Sequence, residues 1–235
     1  MGRKVNVIGV GMVKFQKPGA SDEYNVMAAS AIRSAIKDAG VAFADLEQAY
    51  AGYVYGDSTC GQRAVYEVGI TGIPVFNVNN NCSTGSTALM LARQAVEGGL
   101  CECVLAVGFE QMEKGALQAK WNDRTNPLDK HANVMNEVQG VNAAPGAAQM
   151  FGGAGREYRW KYGTKRETFA KVAEKARKHA AKNPLALFQE TYTVEEILAS
   201  PEVFDPLTRY QCCPPTCGAA AAIVCSEDFA KKRGI

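Results

Sequence analysis

The residues with most chemical potential lie in the run Asn77-Val78-Asn79-Asn80-Asn81-Cys82-Ser83-Thr84-Gly85-Ser86-Thr87-Ala88. An apolar, strand-like segment enters it, and small helix-forming residues leave it. A cysteine at such a junction sits where unpaired backbone N–H groups and the positive end of a helix dipole converge. That field favours thiolate over thiol, the form that attacks a carbonyl. The same N–H groups suit the oxyanion that forms when a thiolate adds to a thioester or ketone. Ser83, Gly85, Ser86 and Ala88 carry little bulk, so the helix can pack deep between layers.

Strands and helices alternate around this segment. Residues 4–10 read as a buried strand. Residues 23–39 read as a helix with an apolar stripe at Met27, Ala28, Ala31, Ile32, Ala35 and Ile36, capped by Ser21 or Asp22 and stopped by Gly40. A short strand at 49–55, a short helix at 59–68 and a strand at 75–79 lead to Cys82. The helix that follows is expected to end near residue 97 at Gly98-Gly99, and a strand covers 102–109. This alternation implies a layered α/β sheet covered on both faces. Residues 111–205 show no clean strand and one clear helix, at 165–182, followed by the capping-box pattern Thr193-x-x-Glu196. Residues 218–225 read as a strand returning to the sheet.

Composition narrows the class. Of 235 residues, 26 are basic and 24 acidic, giving a net charge of +2, and 47% are hydrophobic. That balance gives no sign of nucleic acid or an anionic membrane as a partner of the whole chain, although a local basic patch remains compatible with a phosphorylated ligand. No run is apolar enough for a membrane span, and the strand-like N-terminus leaves no room for a signal peptide. The eight cysteines fall mostly among apolar or small residues, as expected in a reducing compartment. Cys101 and Cys103 are expected to face one side of a strand. Cys212, Cys213 and Cys217 lack the paired spacing and nearby histidine of a zinc site, so no metal is expected. His131 follows Asp129-Lys130 in an irregular stretch, and His179 lies among Lys175, Arg177, Lys178 and Lys182 on a basic helix; neither is expected to activate Cys82. Gly9-Val10-Gly11 and Gly152-Gly153-Ala154-Gly155 do not complete a dinucleotide fingerprint.

Asn80-Asn81-Cys82-Ser83-Thr84-Gly85 resembles the nucleophile segment of the thiolase superfamily, and the likeness is nearest to the thiolases related to sterol carrier protein. Residues 9–15, 52–63, 149–152 and 161–165 carry it further, and it runs from about Val5 to the C-terminal residue. The resemblance implies the first βαβαβαββ half of a thiolase-like layered fold, with a mixed sheet. The core half would comprise 1–110 and 206–235, with a loop domain inserted at 111–205. It also implies an acyltransferase that cleaves 3-oxoacyl-CoA, including branched or sterol-derived chains, through a Cys82 acyl-enzyme. CoA enters as substrate, and no resident cofactor is implied.

A wall for the pantetheine arm is expected around residues 149–152. The second half, with its histidine motifs and second cysteine, is not in the sequence; it is expected as continued chain or a separate subunit. The resemblance further implies a homodimer paired through residues 75–79, in a peroxisomal matrix or a bacterial cytoplasm. Without the second half, the charge-poor run Ala88, Leu89, Leu91, Ala92 and Ala95 is expected to be uncovered. Cys217 stands where the family usually has Asp. The alternatives are a thiolase-like aldolase subunit that cleaves a steroid side chain with a small partner protein, against which the intact Cys82 argues, and a non-catalytic acyl-CoA-binding half-thiolase.

Overall fold

The computed structural model describes residues 2–115 and 117–235, which fall into two compact units. The first unit combines Met1–Glu113 with Thr216–Ile235, and the second is Lys114–Pro215. The sequence reading returned the chain to the core at 206. In the structure the return comes at Thr216, because Glu202–Phe204 and Leu207–Thr208 form a two-stranded hairpin that belongs to the second unit.

In the first unit, β1 (Val5–Met12), β2 (Gln48–Gly52), β3 (Val75–Val78), β4 (Cys103–Glu110) and β7 (Gly218–Ser226) form one sheet in the order β1-β7-β4-β2-β3. The strands β3, β2 and β4 run parallel, while β7 lies antiparallel to both β4 and β1. The sheet is therefore mixed. Helices α1 (Tyr24–Ala39) and α2 (Cys60–Tyr66) build the larger core with one face of it. Helix α3 (Thr84–Glu97) packs on the other, burying Ala92, Ala95 and Val96 with Val104 and Ala106 of β4. The chain ends in a short helix, α8 (Glu227–Arg233).

Two local expectations are corrected here. Neither Ser21 nor Asp22 caps α1. Its N-cap is Glu23, which makes no side-chain capping bond, and the Tyr24 N–H donates instead to Gln111 Oε1 at 3.0 Å. Gly40 does end the helix, in the left-handed conformation glycine adopts without strain. Cys101 and Cys103 are both buried but on opposite faces: Cys101 joins the cluster under α3, and Cys103 the cluster under α1. The strand starts only at Cys103, so Cys101 lies before the alternation begins.

The second unit holds the helices α4 (Asp129–Gln139), α5 (Gly146–Tyr162), α6 (Arg166–Ala180) and α7 (Val194–Ala199), and the hairpin of β5 (Glu202–Phe204) and β6 (Leu207–Thr208). The capping box at α7 forms as read. The Glu196 N–H donates to Thr193 Oγ1, and the Thr193 N–H to the Glu196 carboxylate.

Candidate active site

Cys82 is exposed and lies two residues before α3. The turn that presents it is held by a web of short polar side chains. Asn80 N–H donates to Thr84 Oγ1 at 2.9 Å, and that hydroxyl donates to the Asn81 carbonyl. The Asn80 side-chain amide donates to Thr87 Oγ1, and that hydroxyl to the Ser83 carbonyl, each at 2.9 Å. Asn81 takes the left-handed conformation, φ 49°, which asparagine tolerates better than most residues, and this reverses the chain just before the cysteine.

Ser83, at the N-cap, makes no capping bond. Its hydroxyl turns back to donate to the Asn80 carbonyl at 2.8 Å. The positive end of a 14-residue helix is therefore left without its own side-chain cap beside the sulfur.

The first turn of α3 is seated on glycine. Gly52 of β2 and Gly108 of β4 are partners in the parallel register. A Cβ on Gly52 would stand 2.8 Å from Thr84 Cγ2 and 2.9 Å from the Thr84 carbonyl oxygen, and one on Gly108 would stand 3.3 Å from Gly85 Cα. The helix thus rests against bare backbone at the C-terminal ends of parallel strands, where open α/β sheets place their ligand sites.

Two residues farther along β4, burial pushes the Glu110 carboxyl up from its ordinary value. Its two oxygens accept the N–H groups of Val54 and Tyr55 at 3.0 and 3.1 Å, fixing the loop that follows β2. Sequence reasoning missed this residue. A carboxylate closing an otherwise apolar strand was the available signal.

The face of α3 expected to be uncovered is mostly covered. Ala88, Ala92 and Ala95 are buried, because their i, i+4, i+7 spacing is the stripe that meets the sheet. Leu89 and Met90, off that stripe, are the exposed apolar residues of the helix. Cys217 is fully buried, and its sulfur accepts the Met112 N–H at 3.2 Å, so it acts as an acceptor where the sequence departed from the expected Asp. Cys60, Cys101, Cys103 and Cys225 are also buried; Cys213 is exposed and Cys212 half-buried. Burial pushes the Cys103 thiol up to about 12.

In the second unit, His131 lies on α4 and His179 on α6. The wall expected at residues 149–152 proves to be one turn of α5, and its residues point different ways. Gln149 and Gly152 are buried; a Cβ on Gly152 would meet the Phe204 ring at 2.6 Å. Met150, Gly153 and Ala154 instead line a groove of about 950 Å³ against His131, Val134, Met135 and Val138 of α4.

The family profile described as "Thiolase, N-terminal domain" matches residues 5–228 of this chain. The chain belongs to the thiolase family. Sterol carrier protein 2 of Oryctolagus cuniculus is 56% identical over 235 residues, a match covering 99% of this chain and 43% of that protein. The chain thus spans less than half the length of this relative. Among solved structures, the one titled "Ltp2-ChsH2(DUF35) aldolase" aligns with a TM-score of 0.77 at 24% identity, over 97% of this chain and 56% of that one. Human mitochondrial 3-ketoacyl-CoA thiolase in complex with CoA aligns with a TM-score of 0.69 at 19% identity, over 99% and 67%. These likenesses establish a thiolase-like fold. Among the described residues, no helix is long and apolar enough to cross a membrane.

Proposed function

We propose that the protein acts in a thiolase-type acyltransferase that cleaves 3-oxoacyl-CoA, including branched or sterol-derived chains, with Cys82 as the nucleophile. The supporting observation is the exposed sulfur at the uncapped N-terminus of α3, seated over the C-terminal ends of β2 and β4. The Cys82 thiolate adds to the 3-oxo carbonyl, and the positive end of α3 favours the oxyanion, the Ser83 and Thr84 N–H groups being already bonded to the Asn80 and Asn81 carbonyls. Collapse breaks the C2–C3 bond and releases acetyl- or propanoyl-CoA as its enolate, which takes up a proton. The acyl group left on sulfur passes to the thiol of free CoA.

The proton donor for the enolate comes from a second thiolase half, as continued chain or a separate subunit. The protein pairs as a homodimer along β3, which is an edge of the sheet. Its compartment is the peroxisomal matrix in a eukaryote and the cytoplasm in a bacterium.

The test is Cys82→Ser in the natural full-length protein, assayed by consumption of free CoA with a 3-oxoacyl-CoA. A fall in kcat of about a thousandfold or more is expected; an unchanged kcat removes Cys82 from the mechanism. The fold likeness to an aldolase gives a second reading, carbon–carbon cleavage by retro-aldol chemistry. That reaction needs no acceptor thiol, so cleavage that proceeds without free CoA selects it.

A further inference from the structure

The net charge of +2 conceals an uneven distribution. The second unit holds 15 of the 26 basic residues and 11 of the 24 acidic ones, a net +4, which leaves −2 on the core unit. Much of the excess lies on one helix. Lys171, Lys175 and Lys178 of α6 are exposed and follow at steps of four and three residues, within a sector about 60° wide. Lys182, also exposed, continues the line in the closing turn, where its N–H donates to the His179 carbonyl at 3.0 Å. The inner side of the same helix carries the buried Ala170 and the half-buried Arg177, whose guanidinium lies over the rings of Phe188 and Tyr192 at 4.7 and 5.3 Å. The lysines therefore form a ridge directed away from that packing.

A ridge of this kind works against its own helix. Solvated helix faces gain from alternating acids and bases, whereas like charges three or four residues apart repel. Within α6, Glu174 pairs with Lys178 at 3.0 Å and Glu167 stands four residues before Lys171, but Lys175 and Lys182 have no acid three or four residues away. The helix dipole rewards Lys178 and Lys182 near the C-terminus, but not Lys171 and Lys175 in the middle. A local arrangement that opposes folding without a local return marks a functional surface.

The chemistry of the ridge selects its partner. It carries no arginine fork, and the one ring beside it is the small imidazole of the exposed His179, so it lacks the bidentate phosphate contacts and the large stacking platforms used for single-stranded nucleic acid. It offers ammonium groups along about 16 Å of helix, with the exposed Val172 and Ala176 beside them. That pattern complements a plane of many singly charged headgroups better than one compact phosphate cluster. We propose that the α6 lysine ridge docks the protein on an anionic lipid surface. The inference does not depend on the chemistry assigned to Cys82.

The test is co-sedimentation of the natural full-length protein with vesicles of phosphatidylcholine alone or with about 30% phosphatidylserine. Binding to the anionic vesicles only, weakened by salt, is expected. Replacing Lys171, Lys175, Lys178 and Lys182 together by Gln should weaken it by on the order of a thousandfold. A charge-matched control with Lys14, Lys37, Lys231 and Lys232 changed to Gln should bind nearly as well as the parent, which separates the ridge from net charge. Equal binding to both vesicle types, equal loss in the two variants, or binding of transfer RNA in place of vesicles would overturn the proposal.

Discussion

Asn80 and Thr84 are coupled across the turn that carries Cys82: the Asn80 N–H donates to Thr84 Oγ1 at 2.9 Å, and the same hydroxyl donates to the neighbouring Asn81 carbonyl. One buried oxygen thus serves both strand exit and helix entry. Thr84→Val keeps the shape and removes both bonds. We expect a loss of about 1–2 kcal/mol, the net worth of two hydrogen bonds whose backbone partners lie in the exposed Asn80 and Asn81, with slower alkylation of Cys82. Thr84→Ser should restore both readouts. Denaturant unfolding and timed labelling of the three proteins measure this.

The glycine seat predicts a graded response. Gly52→Ala forces a methyl group to 2.8 Å from Thr84 Cγ2 and 2.9 Å from a backbone oxygen, whereas Gly108→Ala meets Gly85 Cα at 3.3 Å. Overpacking at such sites costs about 1–3 kcal/mol, and Gly52→Ala should cost the more of the two. Melting temperatures of the two variants give the order. The reverse order would mean that α3 is not seated as described.

Cys213 provides an internal control for Cys82, since both are exposed while five of the remaining six cysteines are buried. If the open helix terminus activates Cys82, iodoacetamide at neutral pH should modify it well ahead of Cys213, and acyl-CoA should protect it alone. Peptide mass spectrometry over time reads both rates. Equal rates would reduce Cys82 to an accessible thiol.

Glu110 carries a pH signature. Burial raises its carboxyl above the ordinary 4.5, so the folded protein binds that proton more tightly than the unfolded chain. Its contribution to stability is therefore largest below the ordinary value and is lost as pH rises through the raised one. Taken as a difference from Glu110→Gln, the stability of the parent should grow as pH falls across that window. A pH-independent difference in unfolding free energy would contradict this.

The sheet and the nucleophile turn were legible because their signals are local. Apolar runs fall on β1 to β4 within a few residues, and Cys82 stands at the strand-to-helix junction expected of it. Helices α4 and α5 were not legible. In α4 the apolar stripe is short, Val134, Met135 and Val138, and no residue of Asp129–Gln139 is buried, so the signal is weak. In α5, Gly152, Gly153 and Gly155 weaken the helical signal, yet Gly152 is what lets the helix approach Phe204 and Asp205. Glycine there reflects tertiary contact, which a reading of neighbours along the chain does not register. The stripe of α3 failed for a related reason: small residues serve a covered face and an open one alike, and only the sheet beneath Ala88, Ala92 and Ala95 distinguishes them.

The order of strands also bears on how the protein is made. Among the described residues β1 pairs with β7 alone, and Val5 finds its partner in Ser226. At ordinary elongation rates the first strand leaves the ribosome on the order of ten seconds or more before its neighbour exists. During that interval β4 also lacks its antiparallel partner, while the whole of Lys114–Pro215 is being synthesised. The nascent sheet must wait half-built, with two strand edges available to other chains, and joining β1 to β7 then closes a loop nearly as long as the chain itself.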